Sequence, residues 1–248
     1  MLAVEGVTRR FGGLVAVSEA SFTVETGSIT GLIGPNGAGK TTLFSMISGF
    51  QAPSAGRILF RGEDVTGVEA HRLALQGIAR TFQIVQPFAG LSVVENIAVG
   101  AHLRHAGRAE ALAKARAVAH AVGLAHTLDA PAASLTVAGR KRLELARALA
   151  TEPALLLLDE VLAGLNPSEI RDIVPVLQNI RAGGVTILMI EHVMQAVMSL
   201  CEVVHVLASG RIIAGGPPAE VCQDPRVIEA YLGSRAPRAA AVPEGAVP

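Results

Sequence analysis

The chain has 248 residues, half of them apolar, with 21 basic and 21 acidic side chains and a formal net charge of zero. That length holds one sizeable α/β domain or a core with a smaller subdomain, and so much apolar content excludes wholesale disorder. A pI near 7.1 indicates no polyanion-binding surface, which sets nucleic acid aside as a main partner.

In chain order, residues 2–8 and 20–25 read as short strands, with turns at Gly12-Gly13 and Thr26-Gly27. Residues 29–33 form an apolar strand that runs into a Gly-rich loop, followed by a helix from Lys40 to about Ser48. A strand at 56–60 leads to a polar turn at 61–64, and another strand covers 78–82. From 94 to 123 the sequence is Ala-rich with charges at helical spacing, which predicts a helical subdomain inserted into an α/β core. His102 and His105 fall on one helix face there and read as solvated. The core pattern returns as a strand at 155–158, a helix at 167–181, a strand at 185–190, a helix at 193–200 and a strand at 203–207. Such alternation predicts a parallel sheet. Pro175 inside the 167–181 helix is expected to kink it, at a cost of about 3 kcal/mol in an unadapted site. Residues 234–248, mostly Ala, Pro and Gly, are expected to form a loose tail.

The mean hydropathy of +0.46 is high for a soluble protein. A membrane-spanning helix needs roughly 20 consecutive apolar residues. The longest apolar runs here, 154–158 and 187–190, are far shorter and end at Asp159 and Glu191. They match parallel strands covered by helices on both faces. The N-terminus has no charged stretch followed by an apolar run, and Cys201 and Cys222 have no metal spacing. The expectation is a cytoplasmic protein with some apolar surface to spare for a partner.

Two motifs carry chemistry. Gly34-Pro35-Asn36-Gly37-Ala38-Gly39-Lys40-Thr41-Thr42 lies between a strand and a helix and has the G-x-x-x-x-G-K-T form. Its glycines let successive N–H groups point at nucleotide phosphates, and the helix start adds a partial positive charge. Lys40 is expected to reach the β- and γ-phosphates of ATP, and the Thr41 hydroxyl to ligate Mg²⁺. The second motif is Leu155-Leu156-Leu157-Leu158-Asp159-Glu160, a strand ending in paired carboxylates beside that loop. Asp159 is expected in the Mg²⁺ shell and Glu160 as the general base for the attacking water.

On these motifs the chain resembles the ATP-binding subunits of ABC transporters, from about residue 2 to residue 233. The resemblance implies a P-loop cassette with a mostly parallel core sheet, an antiparallel N-terminal β part and an inserted helical subdomain. The implied division is a core of 1–86 and 153–233, a helical subdomain of 87–152 and the tail. It also implies roles for single residues. Gln83, in Thr81-Phe82-Gln83, matches the glutamine that joins Mg²⁺ and water, and His192 the histidine that touches the γ-phosphate. Phe11 matches the aromatic that stacks on adenine, and Asn166 stands where the family's dimer-contact loop has Asp. The signature Leu-Ser-Gly-Gly-Gln is altered to Leu135-Thr136-Val137-Ala138-Gly139. Thr136 keeps a hydroxyl, whereas Ala138 and Gly139 replace the second Gly and the Gln; Ala138 is tolerable only with negative φ.

The runs Arg80-Thr81-Phe82-Gln83, Ala163-Gly164-Leu165-Asn166-Pro167 and Val227-Ile228-Glu229-Ala230-Tyr231-Leu232-Gly233 resemble the class serving importers of branched-chain amino acids and related amides. The implied partners are a second, identical or homologous ATPase subunit, integral membrane permease subunits and, indirectly, a solute-binding protein, on the inner face of the cell membrane. Residues around 85–91 and the Ala-rich helices would form the permease docking face. Two other readings stay open: a soluble non-transport ABC ATPase, and a degenerate cassette that depends on a partner ATPase.

Overall fold

The computed structural model describes residues 1–83 and 86–232; Ile84, Val85 and the expected loose tail lie outside the described residues. The chain opens with β1 (Leu2–Phe11), β2 (Leu14–Val24) and β3 (Ile29–Ile33), followed by α1 (Lys40–Ile47). Next come β4 (Ala55–Phe60), β5 (Glu63–Asp64), α2 (Ala70–Gln76) and β6 (Ile78–Arg80). Three helices follow, α3 (Val93–Ala101), α4 (Arg108–Ala121) and α5 (Val137–Ala150). The rest alternates: β7 (Leu155–Asp159), α6 (Pro167–Ala182), β8 (Thr186–Ile190), α7 (Met194–Leu200), β9 (Val203–Ala208), β10 (Arg211–Gly216), α8 (Pro218–Val221) and α9 (Pro225–Leu232).

The strands form two sheets. One is antiparallel, in the order β2-β1-β4-β5; the other runs β10-β9-β3-β8-β7-β6. Within the second, every pairing is parallel except that of the edge strand β10 with β9. β3, β7 and β8 are buried at every position, as strands with both faces covered must be. The period of two survives as a division between faces. Leu156 and Leu158 pack into the core beneath α3–α5, α6 and α7, while Leu155 and Leu157 pack against α1 and the antiparallel sheet.

Small residues let α3, α4 and α5 approach closely: Ala101, Ala111, Ala115, Ala119, Ala146 and Ala150 are fully buried. The start of α3 is closed by a capping box between Ser92 and Glu95. Asn96, wholly buried, accepts from the Phe88 N–H and donates to the carbonyls of Phe88, Leu91 and Ser92, so α3 holds residues 88–92 in place. The helix ends at Ala101, and His102 and His105 do not share a helix face. Instead the His102 Nδ1 lies 3.0 Å from the His105 carbonyl and the His105 Nε2 3.0 Å from Glu152 Oε1. α6 starts with an Asn166–Glu169 capping box and Pro167 in its first turn, and continues through Pro175 to Ala182. Pro175 removes one main-chain hydrogen bond without ending the helix.

The topology sets the site. The carboxyl ends of β3, β6, β7 and β8 open toward one edge of the sheet, delivering Gly34, Gln83, Asp159-Glu160 and Glu191-His192 together. Among the described residues no helix is long and apolar enough to cross a membrane.

Candidate functional site

The phosphate loop follows β3. Gly34, Gly37 and Gly39 have φ of 150°, 76° and 104°, the left-handed range that side chains with a Cβ rarely adopt. A Cβ at Gly39 would lie 2.4 Å from the Ala16 carbonyl, and one at Gly34 1.9 Å from that of Leu207, so both positions also require close backbone approach. α1 starts at Lys40 with Gly39 as N-cap and no side-chain cap, leaving its first N–H groups for an anion. The Lys40 ammonium turns back onto the loop, donating to the carbonyls of Gly34 (2.8 Å) and Pro35 (3.0 Å). Burial pulls the Lys40 pKa down, while Glu160 and Asp159 push it back up.

Above the loop lies a cleft of about 1010 Å³, lined by Asn36, Gly37, Ala38, Gly39, Lys40, Thr41, Thr42, Gln83, Glu160 and His192. Leu14, Val15, Ala16 and the Ser209-Gly210 turn complete it. That turn is tied to the loop, with Gly210 N–H donating to the Ala38 carbonyl at 3.0 Å. Phe11 does not line the cleft. It ends β1 at 41 % exposure, and the Arg9 guanidinium sits 4.6 Å from its ring centroid. The β1–β2 turn brings Leu14–Ala16 to the cleft instead.

At the cleft wall Glu160 joins two side chains. Gln83 Nε2 donates to Glu160 Oε2 at 2.6 Å, and His192 Nε2 lies 2.8 Å from Glu160 Oε1. The Glu160 backbone has φ 50°, a strained value for a residue with a Cβ, and its N–H donates to the Ile190 carbonyl. Asp159 is 3 % exposed and pairs through Oδ2 with Arg80 Nη2 at 2.6 Å. Asp159, Thr41 and Gln83 together line an adjoining cavity of about 590 Å³.

Sequence reasoning missed Arg80, whose guanidinium also donates to Ser45 Oγ and Ser48 Oγ and lies within 6 Å of the Phe44, Phe50 and Phe82 rings. It also missed Glu191, whose Oε1 accepts from Leu162 N–H at 2.9 Å, and Lys141, whose ammonium donates to the carbonyls of Glu160 (3.0 Å) and Gln83 (3.3 Å). Arg80 stood in the run Arg80-Thr81-Phe82-Gln83, Glu191 at the end of an apolar run and Lys141 two residues past the altered signature. A charged residue at the end of a buried strand or within a helix that packs on the core was the available signal.

Thr136 is the N-cap of α5, its Oγ1 accepting from Gly139 N–H at 3.1 Å. Val137 and Ala138 occupy the first helical turn and Ala138 has no positive φ, as tolerance of Ala there demanded. Val137 is exposed, so the helix start faces outward.

Comparison with known proteins decides what this arrangement is. Residues 17–163 match the family model described as ABC transporter, and residues 211–237 that of the branched-chain amino acid ATP-binding cassette transporter. The chain belongs to the ABC transporter family. It is 39 % identical over 250 residues to the high-affinity branched-chain amino acid transport ATP-binding protein BraF of Pseudomonas aeruginosa, covering 94 % of this chain and 98 % of that protein. Its identity to LivG of Escherichia coli K12, of the same description, is 36 % over 249 residues, with the same coverage. Among solved structures it resembles a nucleotide-free ATP-binding cassette from an ABC transporter, with a TM-score of 0.86 and 32 % identity over 94 % of this chain and 99 % of that one. The ADP conformation of MJ1267, another such cassette, matches with the same TM-score at 33 % identity, over 94 % and 98 %. The cassette is thus a nucleotide-binding ATPase subunit of a transporter.

Proposed function

We propose that the cassette hydrolyses ATP at the Gln83–Glu160–His192 cluster and thereby powers an importer of branched-chain amino acids or related amides. The observation that carries this is the meeting of those three side chains over an uncapped helix start and a glycine-built phosphate loop. In this reading the N–H groups of residues 36–42 and the Lys40 ammonium hold the phosphates, Lys40 leaving the Gly34 and Pro35 carbonyls for them. Glu160 takes the proton of the attacking water, and Gln83 and His192 fix the direction of its carboxylate. Phe11, at the end of β1 and partly exposed, would stack on the adenine beyond Leu14–Ala16.

The oxygen donors Thr41, Gln83 and Asp159 share one cavity and suit Mg²⁺, a hard cation that also takes substrate phosphates. Bound there, Mg²⁺ would neutralise charge on the transferred phosphoryl group. Arg80 engages Asp159 through Oδ2, and the other carboxylate oxygen would serve the metal.

The outward start of α5, with Thr136 at its cap, supports a signature that meets nucleotide held by a second cassette, identical or homologous. The proposed division is a core of 1–86 and 153–233 with a helical subdomain of 87–152, and permease subunits would dock in the groove between them. Phe50, Phe82 and Phe88 are exposed there, an apolar group of the kind interaction sites tolerate. Amino-acid import rests on the relatives' descriptions and on the match at 211–237. On this reading the cassette works at the inner face of the cell membrane, with a solute-binding protein as an indirect partner.

The test is Lys40→Ala. It removes the cation expected on the β- and γ-phosphates, so Mg²⁺-dependent ATPase activity should fall to background. Unchanged turnover would sink the assignment of this loop.

A further inference from the structure

Lys141 is 7 % exposed and lies on α5, five residues beyond the Thr136 cap. A buried ammonium needs partners, and two of its N–H groups find them in main-chain carbonyls 77 residues apart in sequence, those of Gln83 and Glu160. These are the two residues whose side chains meet at 2.6 Å. Lys141 therefore ties from behind the same pair that faces the cleft in front. Glu160 needs such a tie, because its left-handed φ of 50° is unfavourable for a residue with a Cβ and persists only where neighbours hold it. Its N–H is held by Ile190 and its carbonyl by Lys141.

The grip extends along one face of the helix. Arg147, six residues on, pairs with Glu144 at 3.3 Å and donates to the Gln86 carbonyl at 3.1 Å. The main chain at Gln83 and Gln86 thus hangs from Lys141 and Arg147, both on the helix capped by Thr136.

We propose that Lys141 is a positioning residue for hydrolysis: it fixes the main chain of Gln83 and Glu160 so that amide and carboxylate stay aimed at the cleft, and it does so from the helix that bears Thr136. This rests on the reading of Glu160 as the base. Loss of Lys141 lets Glu160 relax out of its strained conformation, which slows the chemical step and leaves the phosphate loop, and hence nucleotide affinity, alone.

The experiment measures ATPase kcat and KM, ADP affinity and melting temperature on the full chain for wild type, Lys141→Met, Lys141→Arg and Glu160→Gln. Methionine keeps the stem length without the cation; arginine keeps both the length and the donors. Loss of a hydrogen bond from a charged donor should lower kcat of Lys141→Met about tenfold or more, with ADP affinity unchanged, and Lys141→Arg should recover most of it. A merely structural lysine would move melting temperature and KM together with kcat. A folded Lys141→Met at wild-type kcat, while Glu160→Gln is inactive, overturns this proposal alone. Normal hydrolysis by Glu160→Gln overturns the reading of the base and this proposal with it. If Lys141→Met does not fold, Lys141→Gln replaces it: an amide reaches one carbonyl at most, so full kcat there is equally fatal and a partial rate supports the tie.

Discussion

Glu191 follows β8, is 2 % exposed and carries a carboxylate into apolar surroundings. Burial is the main reason its pKa rises to about 7, with the nearby charge of Glu160 adding to it, against hydrogen bonds from Leu162 and His192 N–H and the charge of Lys141. The folded protein therefore holds this proton more tightly than the unfolded chain, whose carboxyl titrates near 4.5. Stability from this residue is fully present below pH 4.5, falls as pH rises toward about 7 and then levels off. The loss is on the order of 3 kcal/mol. Glu191→Gln keeps an oxygen for Leu162 N–H and cannot ionise. Denaturant unfolding of the two proteins at pH 5 and pH 8 should show the variant gaining relative stability at pH 8. An identical difference at both pH values would show that Glu191 does not titrate in this window. Glu191 was legible in the sequence only as the end of an apolar run, because burial of an acid depends on distant segments, here Leu162 and Lys141, closing around it. Lys141 was hidden for the same reason: its partners lie in two other segments of the chain.

Elements formed by local pattern were the most legible. The uninterrupted apolar runs at 29–33 and 155–158 gave β3 and β7 with at most one residue of error, since burial on both faces demands such runs. The β1–β2 hairpin was read too short, because β2 starts with exposed Leu14 and Val15 and draws its register from β1 rather than from its own composition. α2 and β10 were not expected at all. α2 is one short helix with a single buried residue, and β10 is Gly-rich and exists as the antiparallel edge of a parallel sheet. The position of α5 was legible from the run that follows the signature, but the effect of its altered start was not; the helical backbone at Ala138 answers that. Ala138→Gly should relieve no strain and cost about 1 kcal/mol of stability, with only a modest change in turnover. Thr136→Ala removes the cap, at about 1 kcal/mol. It also removes the hydroxyl proposed to meet the partner's nucleotide, worth about 1.5–3 kcal/mol in the ATPase barrier. ATPase rate against protein concentration checks both. Revival of an inert wild type by Ala138→Gly would instead make the chain a degenerate cassette.

At the scale of the whole molecule, the parallel sheet brings four strand ends to one edge, and α3–α5 stand beside that edge with Gln83 at the join. A parallel sheet could be expected from the alternation of strands and helices, but neither its strand order nor which ends would touch. The turn after Phe11 brings Leu14–Ala16 to the cleft, a placement that the composition of 11–16 does not show. The apolar excess in the sequence went largely into the two cores, with Phe50, Phe82 and Phe88 left exposed beside the join. The central claim is that Glu160 activates water in a site closed by a second cassette. It is tested most directly by Glu160→Gln, an amide of nearly the same shape that is not a base. Size-exclusion chromatography in MgATP, with the nucleotide content of each peak, should show a dimer holding unhydrolysed ATP. A monomer that turns over ATP at the wild-type rate would contradict the account.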